Sequence, residues 1–247
     1  MMRETSIFSG PKVEKILYSC AAGREPANIR AEKRKLSSPA MARANAKLSW
    51  KQLERRLAAN ILPGDLVVTA TFDDDHLPED RKEAKARMKA FFDSMRKARR
   101  RRGKIFRCVY CIESRHGDGR WHFHFVINAT GDDYREILSC WPYGSDIEIH
   151  RFELSKSRNY ETLAKYMAKE RPTTERQHVW GCTRNCAKPE RESRIVRDDA
   201  ELTVPDGAVW VVREIVQNEF GRWEYLSYIL TDPGALRKAR PKAKRRR

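Results

Sequence analysis

Between Cys111 and Asn128 the chain reads CIESRHGDGRWHFHFVIN, two histidines one residue apart behind a glycine-containing turn and a glutamate. On a strand, residues i and i+2 share a face, so His122 and His124 project side by side while Trp121, Phe123, Phe125 and Ile127 project the other way. The second set is a core face, and the histidines belong to the opposite one. If His116–Gly119 is a four-residue turn, Glu113 stands opposite His122, Cys111 opposite His124 and Val109 opposite Val126. Ile112, Tyr110 and Cys108 then meet Phe123, Phe125 and Ile127. A two-residue turn at Asp118–Gly119 sets Glu113 opposite His124 instead, with the same faces. A slip of one residue would bury Glu113 among aromatics, at a high desolvation cost. Both registers gather Glu113, His122 and His124. Two imidazoles and a carboxylate suit a divalent cation with open coordination positions, and such an ion can polarise a phosphate oxygen as a Lewis acid. The competing reading is a solvent-facing strand with polar side chains.

A second reactive group sits further on, in NYETLAKYMAKE. Tyr160, Leu163, Ala164 and Met167 fall at helical spacing and form the apolar stripe, which makes Tyr160 a core aromatic. Tyr166 lies off that stripe with Lys169 three residues on, so the two can share one side of the helix. A free phenol ionises near pH 10. A nearby cation-bound phosphate and an amine would favour the charge that develops as a phenol oxygen attacks phosphorus.

The chain that must position these groups has 247 residues, 40% hydrophobic and 34% charged, with a formal net charge of +17. That excess points to an anionic partner, of which nucleic acid is the commonest. No run of about 18 apolar residues suggests a membrane span, and MMRETSIFSGPKVEK has no apolar segment of a secretory signal. Six cysteines in a chain of this size do not make a disulfide framework, so reduced thiols in a cytoplasm are the simplest expectation.

Residues 1–30 show little periodicity and are expected to be poorly ordered. From Ala31 to Asn60 the chain is basic and helix-prone, with Leu48, Leu53, Leu57 and Ile61 near helical spacing. After the break at LPGD, Leu66–Phe72 reads as a strand, and a helix runs from Pro78 towards Gly103. Strands are expected at Ile105–Ser114, Trp121–Asn128 and Ser145–Glu153, and helices at Asp132–Trp141 and Asn159–Glu170. The order β-α-β-β-α-β plus one helix predicts an α+β, ferredoxin-like antiparallel sheet. Three regions are expected: a basic, partly helical N-terminal arm over 1–60, a catalytic domain over 61–175, and an extension over 176–247. The extension carries a hairpin turning at Asn218–Gly221 and ends in the basic tail RKARPKAKRRR.

Other candidates weigh less. Cys108 and Cys111 would point to opposite faces of a strand, which rejects chelation by the pair. Cys182 and Cys186 lack a matching second pair, and His150 reads as a surface strand residue. RKARRRRGK (Arg96–Lys104) could track phosphates or be a solvated helix end whose cations suit the dipole. Thr69 and Thr71 flank the expected cation on a neighbouring strand.

His122-Phe123-His124 resembles the histidine–hydrophobic–histidine motif of the HUH endonucleases, and Tyr166-Met167-Ala168-Lys169 resembles their Tyr-x-x-Lys motif. The likeness is greatest to rolling-circle replication initiators (Rep proteins) of bacterial plasmids, phages and related mobile elements. It extends over roughly residues 30–190, including VWGCTRNCAKPE and the basic stretch running into AANILPGD. It implies a Mg²⁺ or Mn²⁺ ion held by Glu113, His122 and His124, with Tyr166 as nucleophile and Lys169 as its partner. The implied reaction is attack on a DNA phosphodiester, leaving a 5′-phosphotyrosine and a 3′-hydroxyl that can prime synthesis. The implied partners are single-stranded DNA at a replication origin, linear or in a hairpin, and the host helicase and polymerase in a bacterial cytoplasm. Thr162 stands where a second nucleophilic tyrosine would be four residues from Tyr166, so a one-tyrosine enzyme is expected, without a fused helicase. A related transposase and a non-catalytic nucleic-acid-binding module are the alternatives.

Overall fold

The computed structural model describes residues 1–20, 39–114, 121–155, 159–168, 179–219 and 221–232. It is a mixed α+β protein with antiparallel sheets and, among the described residues, four α-helices. The chain divides into two compact units, residues 36–187 and residues 1–35 with 188–247.

The 36–187 unit is built on β3 (Leu66–Thr71), β4 (Cys108–Ser114), β5 (Trp121–Ile127), β6 (Ile147–Arg151) and β7 (Trp180–Cys182). Their spatial order is β6-β3-β5-β4-β7, antiparallel throughout. Helices α1 (Pro39–Asn60), α2 (Arg81–Arg101), α3 (Asp133–Cys140) and α4 (Tyr160–Met167) belong to the same unit. One face of the sheet carries Val68, Ala70, Phe72, Ile112, Phe123, Phe125 and Ile127, all buried. Against it α2 lays Met88, Phe91, Phe92 and Met95, and Ile137 and Trp141 complete the cluster. Each such side chain removed from water contributes about 1.5–3 kcal/mol.

Local chemistry sets the helix ends. Asp80 caps α2 by accepting from the Glu83 amide, and Arg99, Arg100 and Arg101 fill the last turn, where cations oppose the carbonyl end of the dipole. Asn159 and Thr162 form a reciprocal capping box at the start of α4. In LPGD, the Asp65 carboxylate accepts from the Leu62 amide at 2.8 Å and from the Ala129 amide at 2.7 Å, fixing where β3 begins. At its far end β3 is crossed closely by Gly144, φ +157°, where a Cβ would lie 2.5 Å from the Thr71 carbonyl oxygen.

The second unit departs from expectation. Residues 1–20 are not poorly ordered: β1 (Met2–Ser9) and β2 (Lys12–Ser19) form a hairpin. They join β8 (Glu190–Val196), β9 (Ala208–Asn218) and β10 (Gly221–Leu230) in a sheet ordered β8-β1-β2-β10-β9. The units therefore meet near residues 35 and 187, where 60 and 175 are expected from sequence. The reason is that the amino-terminal strands pair with partners almost two hundred residues away, as in Met2 opposite Val196. The β9–β10 hairpin turns where expected, with Asn218 opposite Gly221. Among the described residues no helix is long and apolar enough to cross a membrane. The basic tail beyond residue 232 and the turn at 115–120 lie outside the described residues.

Arg99 holds the α2–α3 junction. It is fully buried and donates from Nε to Glu136 at 3.1 Å, from Nη2 to Asp133 at 2.9 Å and from Nη1 to the Asn128 side-chain oxygen at 2.9 Å. Burial raises the Asp133 carboxyl, but hydrogen bonds from the Thr130 hydroxyl and the Thr130 and Gly131 amides, with the Arg99 charge, outweigh it and hold it below its ordinary value. A depressed carboxyl contributes stability above its ordinary value of 3.8 and loses it as the pH falls through the folded value. Arg99→Ala, which strands two buried carboxylates, is expected to cost about 3–5 kcal/mol in denaturant unfolding. A loss under about 1 kcal/mol would show that the network does not hold this junction.

Candidate active site

The β4–β5 register is the one generated by a four-residue turn: Glu113 opposite His122, Cys111 opposite His124, Val109 opposite Val126. His122 and His124 thus share the sheet face opposite the α2 core with Glu113, Thr69 and Thr71. Their imidazole rings are near-parallel, 21° apart in plane, with centroids 6.4 Å apart. Each meets a threonine of β3 through Nδ1: His124 with Thr69 Oγ1 at 3.0 Å, and His122 with Thr71 Oγ1 at 3.3 Å. Those bonds orient the rings, which is how hydroxyl and carboxylate neighbours set the ligating nitrogen of histidine in metal sites. The Nε2 of His124 then meets Glu113 Oε2 at 3.0 Å.

Tyr166 closes the group. Its ring packs edge-on against His124, centroids 5.2 Å apart at 74°, and 44% of the residue stays exposed. One pocket of about 170 Å³ is lined by Glu113, His122, His124 and Tyr166 together with Thr69, Thr71, Asp146 and Glu148. Four of the five residues singled out from sequence therefore converge, and the fifth, Lys169, lies outside the described residues. The helix that delivers Tyr166 is anchored by its other tyrosine. Tyr160 is fully buried, packs against Phe152 with ring centroids 5.0 Å apart, and donates its hydroxyl to the Ile61 carbonyl at 2.8 Å. Burial pushes its phenol well above the ordinary value, which removes it as a nucleophile.

The donor set suits a hard or borderline divalent cation: two imidazoles, a carboxylate and room for other ligands. The 3.0 Å between His124 Nε2 and Glu113 Oε2 also matches the edge between neighbouring ligands of an octahedron with bonds of about 2.1 Å. Here a proton shared by the two groups bridges that edge. Among the described residues no three His, Cys, Asp or Glu side chains already surround one point as a ready-made metal site.

Asp146 and Glu148 line the pocket without having been singled out from sequence. The alternation Asp146, Glu148, His150 was the available signal, because it continues one polar face across β6. Glu148 stands opposite Thr69, in one row with His124. His150 is an exposed residue of β6, outside the pocket. Cys108 joins the α2-side core, whereas Cys111 stands in the row of His124.

Residues 65–171 match the model of a protein family described as the replication-associated protein ORF2. The match covers both histidines, Glu113 and Tyr166. No curated protein matches the chain. Among solved structures, the chain is similar to the hypothetical protein ORF119 from Sulfolobus islandicus rod-shaped virus 1, with 17% identity over 51% of this chain and 97% of that one, TM-score 0.34.

The two tyrosines of α4 separate cleanly in this geometry. Tyr160→Phe is expected to lower stability by about 1–2 kcal/mol, because the Ile61 carbonyl loses its buried donor. Tyr166→Phe, at an exposed position, should stay within about 0.5 kcal/mol of the parent protein. Thermal and urea melts of both variants check this, and the reverse order would contradict the assignment.

Proposed function

We propose that this protein is a metal-dependent, site-specific single-stranded DNA endonuclease and strand transferase that initiates rolling-circle replication, with Tyr166 as nucleophile. The observation that carries the reading is the placement of the Tyr166 ring against His124, in one pocket with Glu113 and His122. The match of residues 65–171 to a replication-associated family supports the biological context. The path β3-α2-β4-β5-α3-β6, with spatial order β6-β3-β5-β4, supports a ferredoxin-like core. The net charge of +17 supports a polyanionic substrate.

His122, His124 and Glu113 would hold the cation, Mg²⁺ or Mn²⁺. When bound, it supplies Lewis-acid polarisation of a phosphoryl oxygen. The remaining work belongs to the chain. Thr69 and Thr71 keep the imidazoles oriented, and the capped, buried α4 keeps Tyr166 at the pocket rim. Tyr166 Oη forms a bond to phosphorus as the bond from phosphorus to the 3′ oxygen breaks. The phenol gives up its proton, the 3′ oxygen takes one and leaves as a hydroxyl, and the 5′ phosphate stays on the tyrosine. Attack of a 3′-hydroxyl on that linkage reverses the step and joins strands. Lys169, three residues beyond Tyr166, would supply positive charge to the developing phenolate. A stacking module is disfavoured because Phe123 and Phe125 are 1% exposed and cannot meet bases.

Incubating the protein with end-labelled single-stranded origin DNA and Mn²⁺ is expected to give a covalent adduct. Tyr166→Phe should reduce it by at least about 10³-fold, and a chelator should remove it. An undiminished adduct in Tyr166→Phe would place the nucleophile elsewhere, and binding without adduct would favour a non-catalytic module.

A further inference from the structure

We propose that the 36–187 unit carries a second nucleic-acid site: a cationic groove along α2 that holds the sugar–phosphate backbone of duplex DNA, by a chemistry separate from that of the histidine pocket. The groove encloses about 570 Å³ and is lined by Lys89, Arg96 and Arg100 of α2, by Lys104, and by Arg184 after β7. No acidic side chain lines it, and it shares no residue with the pocket of Tyr166.

The arginine-rich end of α2 divides into two sets. Arg99 and Arg102 are committed to the fold, Arg99 through Asp133 and Glu136, and Arg102 through Asp132 and Glu136. Arg96 is shared with Asp93. Among the described residues, Lys89, Arg100, Lys104 and Arg184 make no ion pair, and all four are exposed. Like charges gathered around one concavity repel one another and raise the local affinity for a polyanion.

Arg184 is presented by a pinned segment. The Thr183 amide donates to the Cys108 carbonyl at 2.9 Å, the Cys108 amide donates to Thr183 Oγ1 at 3.1 Å, and Asn185 Nδ2 donates to the Phe106 carbonyl at 2.9 Å. With both neighbours fixed to the start of β4, Arg184 meets the groove without a loop having to order on binding.

Two features favour a duplex over a single strand. The groove's aromatic, Phe106, is 5% exposed, so the site offers no platform for unpaired bases to stack on. Lys89 to Arg100 also spans about 16 Å of helix, the length of several consecutive phosphates, which lie about 3.4 Å apart along each strand of a duplex. Such a groove would retain double-stranded DNA beside the single strand being cut.

The test is equilibrium binding of a fluorescent duplex of about two helical turns, in chelator, over about 50–200 mM salt. The groove variant is Arg100→Ala/Lys104→Ala/Arg184→Ala. The control variant, Lys97→Ala/Arg101→Ala/Arg135→Ala, removes equal charge from exposed positions outside the groove. The groove variant is expected to bind duplex at least about 10-fold more weakly at low salt, with the log–log salt slope reduced by about 2–3. The control should change the slope by less than about 1. Circular dichroism confirms that both variants fold. Equal losses in both variants, an unchanged slope in the groove variant, or a loss confined to single-stranded DNA would each overturn the proposal. Adduct formation on a short single-stranded oligonucleotide should be unchanged by the groove variant. Absence of any adduct in the parent protein would sink the nickase reading and leave the duplex measurement standing.

Discussion

The pairing of β4 with β5 constrains everything built around it. Because side chains alternate with a period of two, one register sends Ile112, Phe123 and Phe125 into the α2 core and Glu113, His122 and His124 to the other face. A shift by one residue would move an anionic carboxylate into a cluster of phenylalanines and turn those rings outward, and both changes are unfavourable. The apolar core thus selects the geometry of the polar site. β3 extends the same logic by bringing Thr69 and Thr71 level with His124 and His122.

The site also depends on what α4 does with two tyrosines. Tyr160 and Met167 are buried, and the Tyr160 hydroxyl is tied to Ile61 at the end of α1. That anchoring leaves Tyr166, one position off the buried stripe, at the rim of the pocket with its ring on His124. A fixed backbone and an exposed phenol are the combination a positioned nucleophile requires. The arginine run of α2 shows the same division of labour, with Arg99 and Arg102 spent on buried acids and Arg100 and Lys104 left facing a groove.

Much of the central unit was legible because its determinants are local. Alternation in IFRCVYCIES and WHFHFVIN marks the strands and their faces, and the coincidence of apolar sets narrows the register to two. The composition of the turn at 115–120 does not decide between them; the pairing does. Runs of helix formers mark α2 and α4, and the structure adds Asp80 and Asn159 as the caps that begin them. What could not be read was non-local. β1 and β2 show weak periodicity because both their faces mix buried and polar residues: Glu4, Thr5 and Glu14 are buried beside Ile7, Val13 and Leu17. Their partners β8 and β10 lie near the other end of the chain, so no short-range signal announces the sheet. Glu148 was missed for a related reason: an acid on a short strand acquires meaning only when Thr69 and His124 are set level with it.

The most direct test of the central claim is anomalous diffraction from crystals of the protein soaked in Mn²⁺. The account predicts a peak within coordination distance of Glu113, His122 and His124, with the Tyr166 hydroxyl facing the same pocket. A peak elsewhere, or none at the histidines under saturating Mn²⁺, would contradict it.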